Sequence, residues 1–133
     1  MSNTLITAIT ELDQSTYKTK IYAGGHFIYA DEPTDLGGTD EGMTPGALLL
    51  ASLGSCTAIT MRMYADRKAI PLTHIKIHLS ICPEDEMDKS TTITRKIELS
   101  GDLNDQQRLR LMQIADKCPI HKLLTNQIKI ETS

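Results

Sequence analysis

Two cysteines dominate the chemistry available to this chain. Cys56 sits in ASLGSCTAIT, residues 51–60, a run that is otherwise apolar, hydroxylic or tiny. Cys118 sits in ADKCPIHKLL, residues 115–124, directly before a proline. A free cysteine behaves as a small hydrophobe, and Cys56 reads naturally as a core thiol. Its neighbours Gly54, Ser55 and Thr57 also leave little bulk around the sulfur and supply hydrogen-bonding groups, so another helix or a ligand can approach it closely. Cys118 carries the sharper signal. Preceding Pro119, it occupies the N-cap of a short helix with proline at the first helical position. A thiol there meets unpaired backbone N–H groups and the positive end of the helix dipole, both of which favour the thiolate.

Other reactive side chains are less organised. His121 lies three residues after Cys118, where it either steadies a thiolate or faces water. Cys118-x-x-His121 supplies at most two metal ligands, and neither Cys56 nor Cys82 belongs to a second such pair. Cys82, ending a strand before Pro83, reads as structural. No G-x-S-x-G elbow is present to support a serine hydrolase. The residues call for no metal and no cofactor.

The elements that must position these thiols follow from periodicity. LITAITELD and STYKTKIYAGG alternate as strands with ELDQS between them, and HFIYAD follows the Gly24-Gly25 reversal as a third. EPTDLGGTDEGMTP has the composition of an ordered loop. Thr44-Pro45 then starts a helix, with the hydroxyl as cap and the proline at its first position. No further proline occurs before Pro71, which allows about 25 residues of helix, roughly 37 Å. The first half of this helix is apolar on every side, and Arg62, Asp66, Arg67 and Lys68 mark a wet face in its second half. One sheet covers only one side of such a helix, so a second subunit is expected on the other. LTHIKIHLSICP alternates most cleanly and pairs with TTITRKIELSG across EDEMDKS. NDQQRLRLMQIADK is an amphipathic helix capped by Asn104, with Leu109, Met112 and either Ile114 or Ala115 inward. PIHKLLTN forms a short helix and QIKIET a last strand. The order β-β-β-α-β-β-α-α-β makes an α+β fold with antiparallel sheets and a long buried central helix, and residues 1–133 form one domain.

Composition excludes several functions. The net charge is −3, and one Phe with no Trp leaves few stacking platforms, so nucleic acid is not an expected partner. Residues 1–55 contain no arginine and only Lys18 and Lys20 against seven acidic residues. The N-terminal residues lack the pattern of a signal peptide, and the longest uncharged run, Met43 to Met61, is broken by Pro45, Gly46, Gly54 and hydroxyls. A cytoplasmic protein without a membrane span is the expectation. Its three cysteines are then not a disulfide framework.

Taken together, TPGALLLASLGSCTAITMRMYADRKAIPL and the ADKCPIHKLL motif, with 118 − 56 = 62 positions between the cysteines, resemble the OsmC/Ohr superfamily of osmotically inducible and organic hydroperoxide resistance proteins. The likeness extends over nearly the whole chain, from the glycine-rich loop before the helix to the closing helix and strand. It implies an intertwined homodimer with two equivalent sites at the subunit interface. It also implies a thiol-dependent peroxidase in which Cys56 attacks an organic hydroperoxide and becomes a sulfenic acid. Cys118 condenses with that acid to a disulfide, and an external dithiol restores both. The family's peroxidases supply an arginine from before the central helix, steadied by a glutamate near its start. This chain has no arginine before Arg62, and Gly46 stands where the carboxylate belongs. Glu41 is the replacement offered by the loop, while Arg62 reads as a solvated helix charge. Two alternatives remain open. One is a member of the same fold that binds a hydrophobic or acyl ligand at the dimer interface; the other is a different thiol-dependent activity such as acyl transfer or disulfide exchange.

Overall fold

The computed structural model describes residues 5–133. The described chain divides into two compact units, one ending at Leu49 and the other Leu50–Ser133.

The first unit is an antiparallel sheet of β1 (Ile9–Glu11), β2 (Thr19–Ala23) and β3 (His26–Ala30), in that order. Gly24 and Gly25 adopt φ of 57° and 79°, which closes the two-residue β2–β3 turn in the geometry that matches strand twist. Strand β1 is shorter than its alternating sequence predicts: Leu5 and Ile6 lie outside it and are exposed. After β3 the chain folds around Asp31, which is buried. Its carboxylate accepts the Glu32 and Glu41 N–H groups at 2.8 and 3.1 Å and the Thr39 hydroxyl at 2.8 Å. Burial opposes the charge, but these donors outweigh it and hold the Asp31 carboxyl below its ordinary pKa. The loop closes tightly at Gly38, where a Cβ would lie 1.9 Å from the Glu32 carbonyl oxygen.

Helix α1 (Pro45–Arg67) begins as expected, with the Thr44 hydroxyl accepting the Ala47 N–H at 3.2 Å. It ends in a Schellman turn: the Ile70 N–H reaches the Ala65 carbonyl at 2.8 Å, and Ala69 takes the left-handed conformation at φ 52°. This helix is long and apolar enough to cross a membrane by length and composition alone, a test that buried core helices also pass. Leu53, Gly54, Thr57, Met61 and Ala65 form one buried stripe at helical spacing. Ala51, Ser55, Ile59 and Met63 form an exposed one, so burial within one chain is one-sided.

In the second unit β4 (Leu72–Ile81) pairs antiparallel with β5 (Ile93–Gly101). Their inward register carries Ile75, Ile77 and Leu79 on β4 and Ile93, Arg95, Ile97 and Leu99 on β5, all at least half-buried. Helix α2 (Asp105–Ala115) opens with a reciprocal capping box, Gln107 N–H to Asn104 Oδ1 at 2.7 Å and Asn104 N–H to Gln107 Oε1 at 3.0 Å. Its inner face is Leu111, Ile114 and Ala115, which join Met61, Ala65 and Leu72 in the core. Leu109 and Met112, predicted to point inward, are instead exposed. Two apolar stripes overlap on this helix, and contact with the Met61–Ala65 turn of α1 selects the one containing Leu111. Helix α3 (Pro119–Leu124) follows. QIKIET, predicted as a strand, forms none: no strand among the described residues pairs with it, and Ile130 is exposed. Alternation alone does not make a strand without an edge to bond.

Candidate functional site: two thiols under shared donors

Cys56 lies inside α1 between buried Gly54 and buried Thr57, and its own side chain is half-buried. Cys118 is the N-cap of α3, as its place before Pro119 requires, and it is fully buried. The His121 N–H donates to its sulfur at 3.4 Å. Both cysteines are free thiols, and they lie near enough for each to perturb the ionisation of the other. Folding thus brings together two residues 62 positions apart in the chain.

The surroundings treat the two sulfurs unequally. Burial raises the Cys56 thiol pKa, and its hydrogen bond with Cys118 raises it further; the Ile120 N–H and the Thr60 hydroxyl pull the other way without prevailing. Burial also opposes ionisation of Cys118, but the Cys56 thiol, the His121 N–H, the Thr57 hydroxyl and the Ile120 N–H together outweigh it and lower its pKa. The surroundings thus push the two thiols apart, Cys118 down and Cys56 up. Donors therefore come from two elements: hydroxyls of α1 and the first free N–H groups of α3.

The remaining sequence candidates are placed elsewhere. The ring of His121 is tied by Nδ1 to the Asp116 carbonyl at 3.2 Å, so its contribution to Cys118 is through the backbone. Arg62, expected as a solvated helix charge, is instead part-buried: it donates to the Leu72 carbonyl at 2.6 Å and lies 3.6 Å from Asp66. Cys82 follows β4 and donates its N–H to the Thr92 carbonyl at 2.7 Å. Glu41 belongs to the Asp31 loop of the first unit and pairs with Lys18 at 3.1 Å; the Thr39 hydroxyl and then Lys18 hold its carboxyl below the ordinary value.

One residue at the site escaped sequence reasoning. Arg95 of β5 donates from Nη1 to the Thr57 hydroxyl oxygen at 2.9 Å and to the Ala115 carbonyl at 3.2 Å, and from Nη2 to Asp116 at 2.8 Å. A signal was present: in TTITRKIELSG it falls on the same alternation as Ile93, Ile97 and Leu99, a cation in an apolar stripe. Beside it lies a cavity of about 330 Å³ lined by Leu53, Ile93, Arg95, His121 and Leu124.

An α+β chain with a long central helix and a thiol pair joining that helix to a later Cys-Pro cap defines a class. The chain belongs to the OsmC-like protein family, whose model it matches over residues 38–133. Its fold is that of an OsmC-like protein from Mycoplasma pneumoniae, with a TM-score of 0.78 at 18% identity over 92% of this chain and 89% of that one. It is similar also to the organic hydroperoxide resistance protein OsmC of Legionella pneumophila, with a TM-score of 0.66 at 18% identity over 94% and 92% of the two chains. The organic hydroperoxide resistance protein OhrB of Bacillus subtilis gives a TM-score of 0.63 at 18% identity over 93% of each. No sequence match to a curated protein accompanies these likenesses.

Proposed function

We propose that this protein is a cytoplasmic, homodimeric thiol peroxidase that reduces organic hydroperoxides, with Cys56 as nucleophile and Cys118 as resolving thiol. The observation that carries this reading is the pairing of a half-buried sulfur with a fully buried one, with the Ile120 N–H favouring the thiolate of each. A reagent meets Cys56 first. The ionised Cys118 takes the proton of Cys56, and the Cys56 thiolate attacks the distal oxygen of the hydroperoxide. The O–O bond breaks, the alkoxide leaves and takes a proton from water, and Cys56 becomes a sulfenic acid. The Cys118 thiol then condenses with it, forming the disulfide and releasing water. An external dithiol reduces the disulfide and is itself oxidised. The solved relatives named for organic hydroperoxide resistance support this substrate class.

The dimer rests on the exposed stripe of α1. Ile59 and Met63 are 54% and 64% exposed on a helix whose opposite side forms the core, a face suited to a second copy of the chain. The unpaired QIKIET segment offers the same copy a strand.

Intact-mass spectrometry of the protein treated with cumene hydroperoxide tests the reading. The expected product has lost two hydrogen atoms per chain, and Cys118→Ser abolishes that product. Both cysteines staying reduced in a large excess of peroxide while a hydrophobic ligand binds overturns it in favour of a binding protein. Acylation of Cys56 by an acyl donor without peroxide reactivity favours the third reading.

A further inference from the structure

Resting on the two-thiol reading above, we propose that Arg95 is the positioning residue of this site. Its guanidinium fixes the Thr57 oxygen so that the single proton of that hydroxyl serves Cys118 whenever Cys118 carries charge. Arg95 reaches inward from β5 with its side chain 14% exposed. Its three bonds join the middle of α1 at Thr57, the last residue of α2 at Ala115, and Asp116, two positions before Cys118. It ties the helix bearing one thiol to the turn bearing the other.

The hydroxyl is where the arrangement acts. Thr57 is fully buried, and its oxygen has one proton and two lone pairs. Arg95 fills a lone pair at 2.9 Å, while the proton points to the Leu53 carbonyl at 2.7 Å. Cys118 lies within reach of the same hydroxyl. Rotation about the Thr57 C–O bond moves the proton from a carbonyl to a sulfur anion and leaves the Arg95 bond in place. A hydroxyl that accepts from a guanidinium is also a stronger donor, because hydrogen bonds in a chain polarise one another. The cation thus acts through Thr57. It comes from the strand after the central helix, whereas the family pattern draws its arginine from the segment before that helix. The other titratable or charged groups around Cys118 are Cys56 on α1, Asp116 at the end of α2 and His121 on α3.

Only arginine suits this role. Its planar fork bonds a hydroxyl, a carbonyl and a carboxylate together, whereas a lysine ammonium at the same place keeps the charge but not the geometry.

The test uses the full chain with Cys82→Ala, so that two thiols remain, and follows thiolate ultraviolet absorbance against pH. Thr57→Val, which preserves shape, is expected to raise the midpoint of the first ionisation by about one unit. That is a tenfold loss of thiolate below the midpoint, or about 1.4 kcal/mol. Thr57→Ser restores the midpoint. Arg95→Lys raises it in the presence of Thr57 and adds nothing in the Thr57→Val background; circular dichroism confirms that the variants are folded. A midpoint unmoved by Thr57→Val, or one that Thr57→Ser fails to restore, overturns the proposal. A midpoint that shifts as expected in a protein that hydroperoxide never oxidises upholds the role of Arg95 and refutes the peroxidase reading.

Discussion

Gly54, two residues before Cys56, is a point of close approach between α1 and β4. A Cβ added there would lie 2.8 Å from Leu79 Cδ1, below the 3.4 Å at which ordinary contact begins, so the leucine must withdraw by 3.4 − 2.8 = 0.6 Å. Leu79 is half-buried and the approaching atom is the end of its side chain, which leaves room to turn. For Gly54→Ala the helix gains about 1 kcal/mol of propensity. Displacing Leu79 offsets most of that, so the net change stays within about 1 kcal/mol. Gly54→Val brings two further methyls that Leu79 cannot clear, and a loss of about 2–3 kcal/mol is expected from overpacking. Leu79→Ala alone costs about 2 kcal/mol. If the clash is the cause, the double variant recovers at least about 1 kcal/mol of the summed losses, in the range measured for residues in contact. Urea unfolding of the four proteins at one protein concentration measures this cycle. Losses that add to within about 0.5 kcal/mol refute the close packing of α1 on β4 at Gly54.

Further outcomes follow from the same contacts. Asn104→Ala removes the acceptor of the α2 capping box and is expected to cost about 1 kcal/mol in urea unfolding. Leu111→Ala is expected to cost about 2–5 kcal/mol, whereas Leu109→Ala, on the exposed face, costs less than about 0.5 kcal/mol; the reverse order would return the inner face to the Leu109 stripe. The lowered pKa of Cys118 makes its contribution to stability fully present above the unfolded thiol value and lost as pH falls through the folded one. The stability gap between the wild type and Cys118→Ala is therefore expected to widen from neutral pH to about pH 8.5, as read from melts at several pH values.

Local chemistry made much of this legible. Thr44-Pro45, Gly24-Gly25, Asn104 with Gln107, and Cys118-Pro119 each satisfy backbone groups within a few residues, and each marks the boundary that the sequence assigns to it. Failures came where a distant partner decides. Leu109 and Leu111 have equal claim to an inner face until α1 is set against the helix. QIKIET alternates as a strand should, but its hydrogen bonds need an edge that periodicity cannot supply. Arg95 was overlooked for a related reason. The expected source of a cation is the central helix and the segment leading to it, while the guanidinium that reaches Thr57 is 38 residues downstream of it on a strand. Its clue was a break in an otherwise apolar alternation, which has meaning only once the helix packed against that face is known to carry a buried hydroxyl.

The division of properties between the two sulfurs constrains any chemistry proposed for them. Cys118 ionises more readily but is sealed from solvent; Cys56 can be reached but holds its proton more tightly. Neither thiol alone is both charged and accessible. For the peroxidase reading, attack by Cys56 then requires that its proton move to Cys118, so Cys118 serves as base before it serves as resolving thiol. The first ionisation of the pair, rather than that of Cys56 in isolation, sets the pH at which attack begins. On that reading a mid-helix cysteine, far from any dipole terminus, draws on its partner: the N–H groups of α3 and the Thr57 hydroxyl favour charge on Cys118, which is the acceptor for the Cys56 proton. Replacing Cys118 by serine consequently removes a base as well as a disulfide partner. Peroxide attack on Cys56 must slow in that variant, and not merely stop at the sulfenic acid.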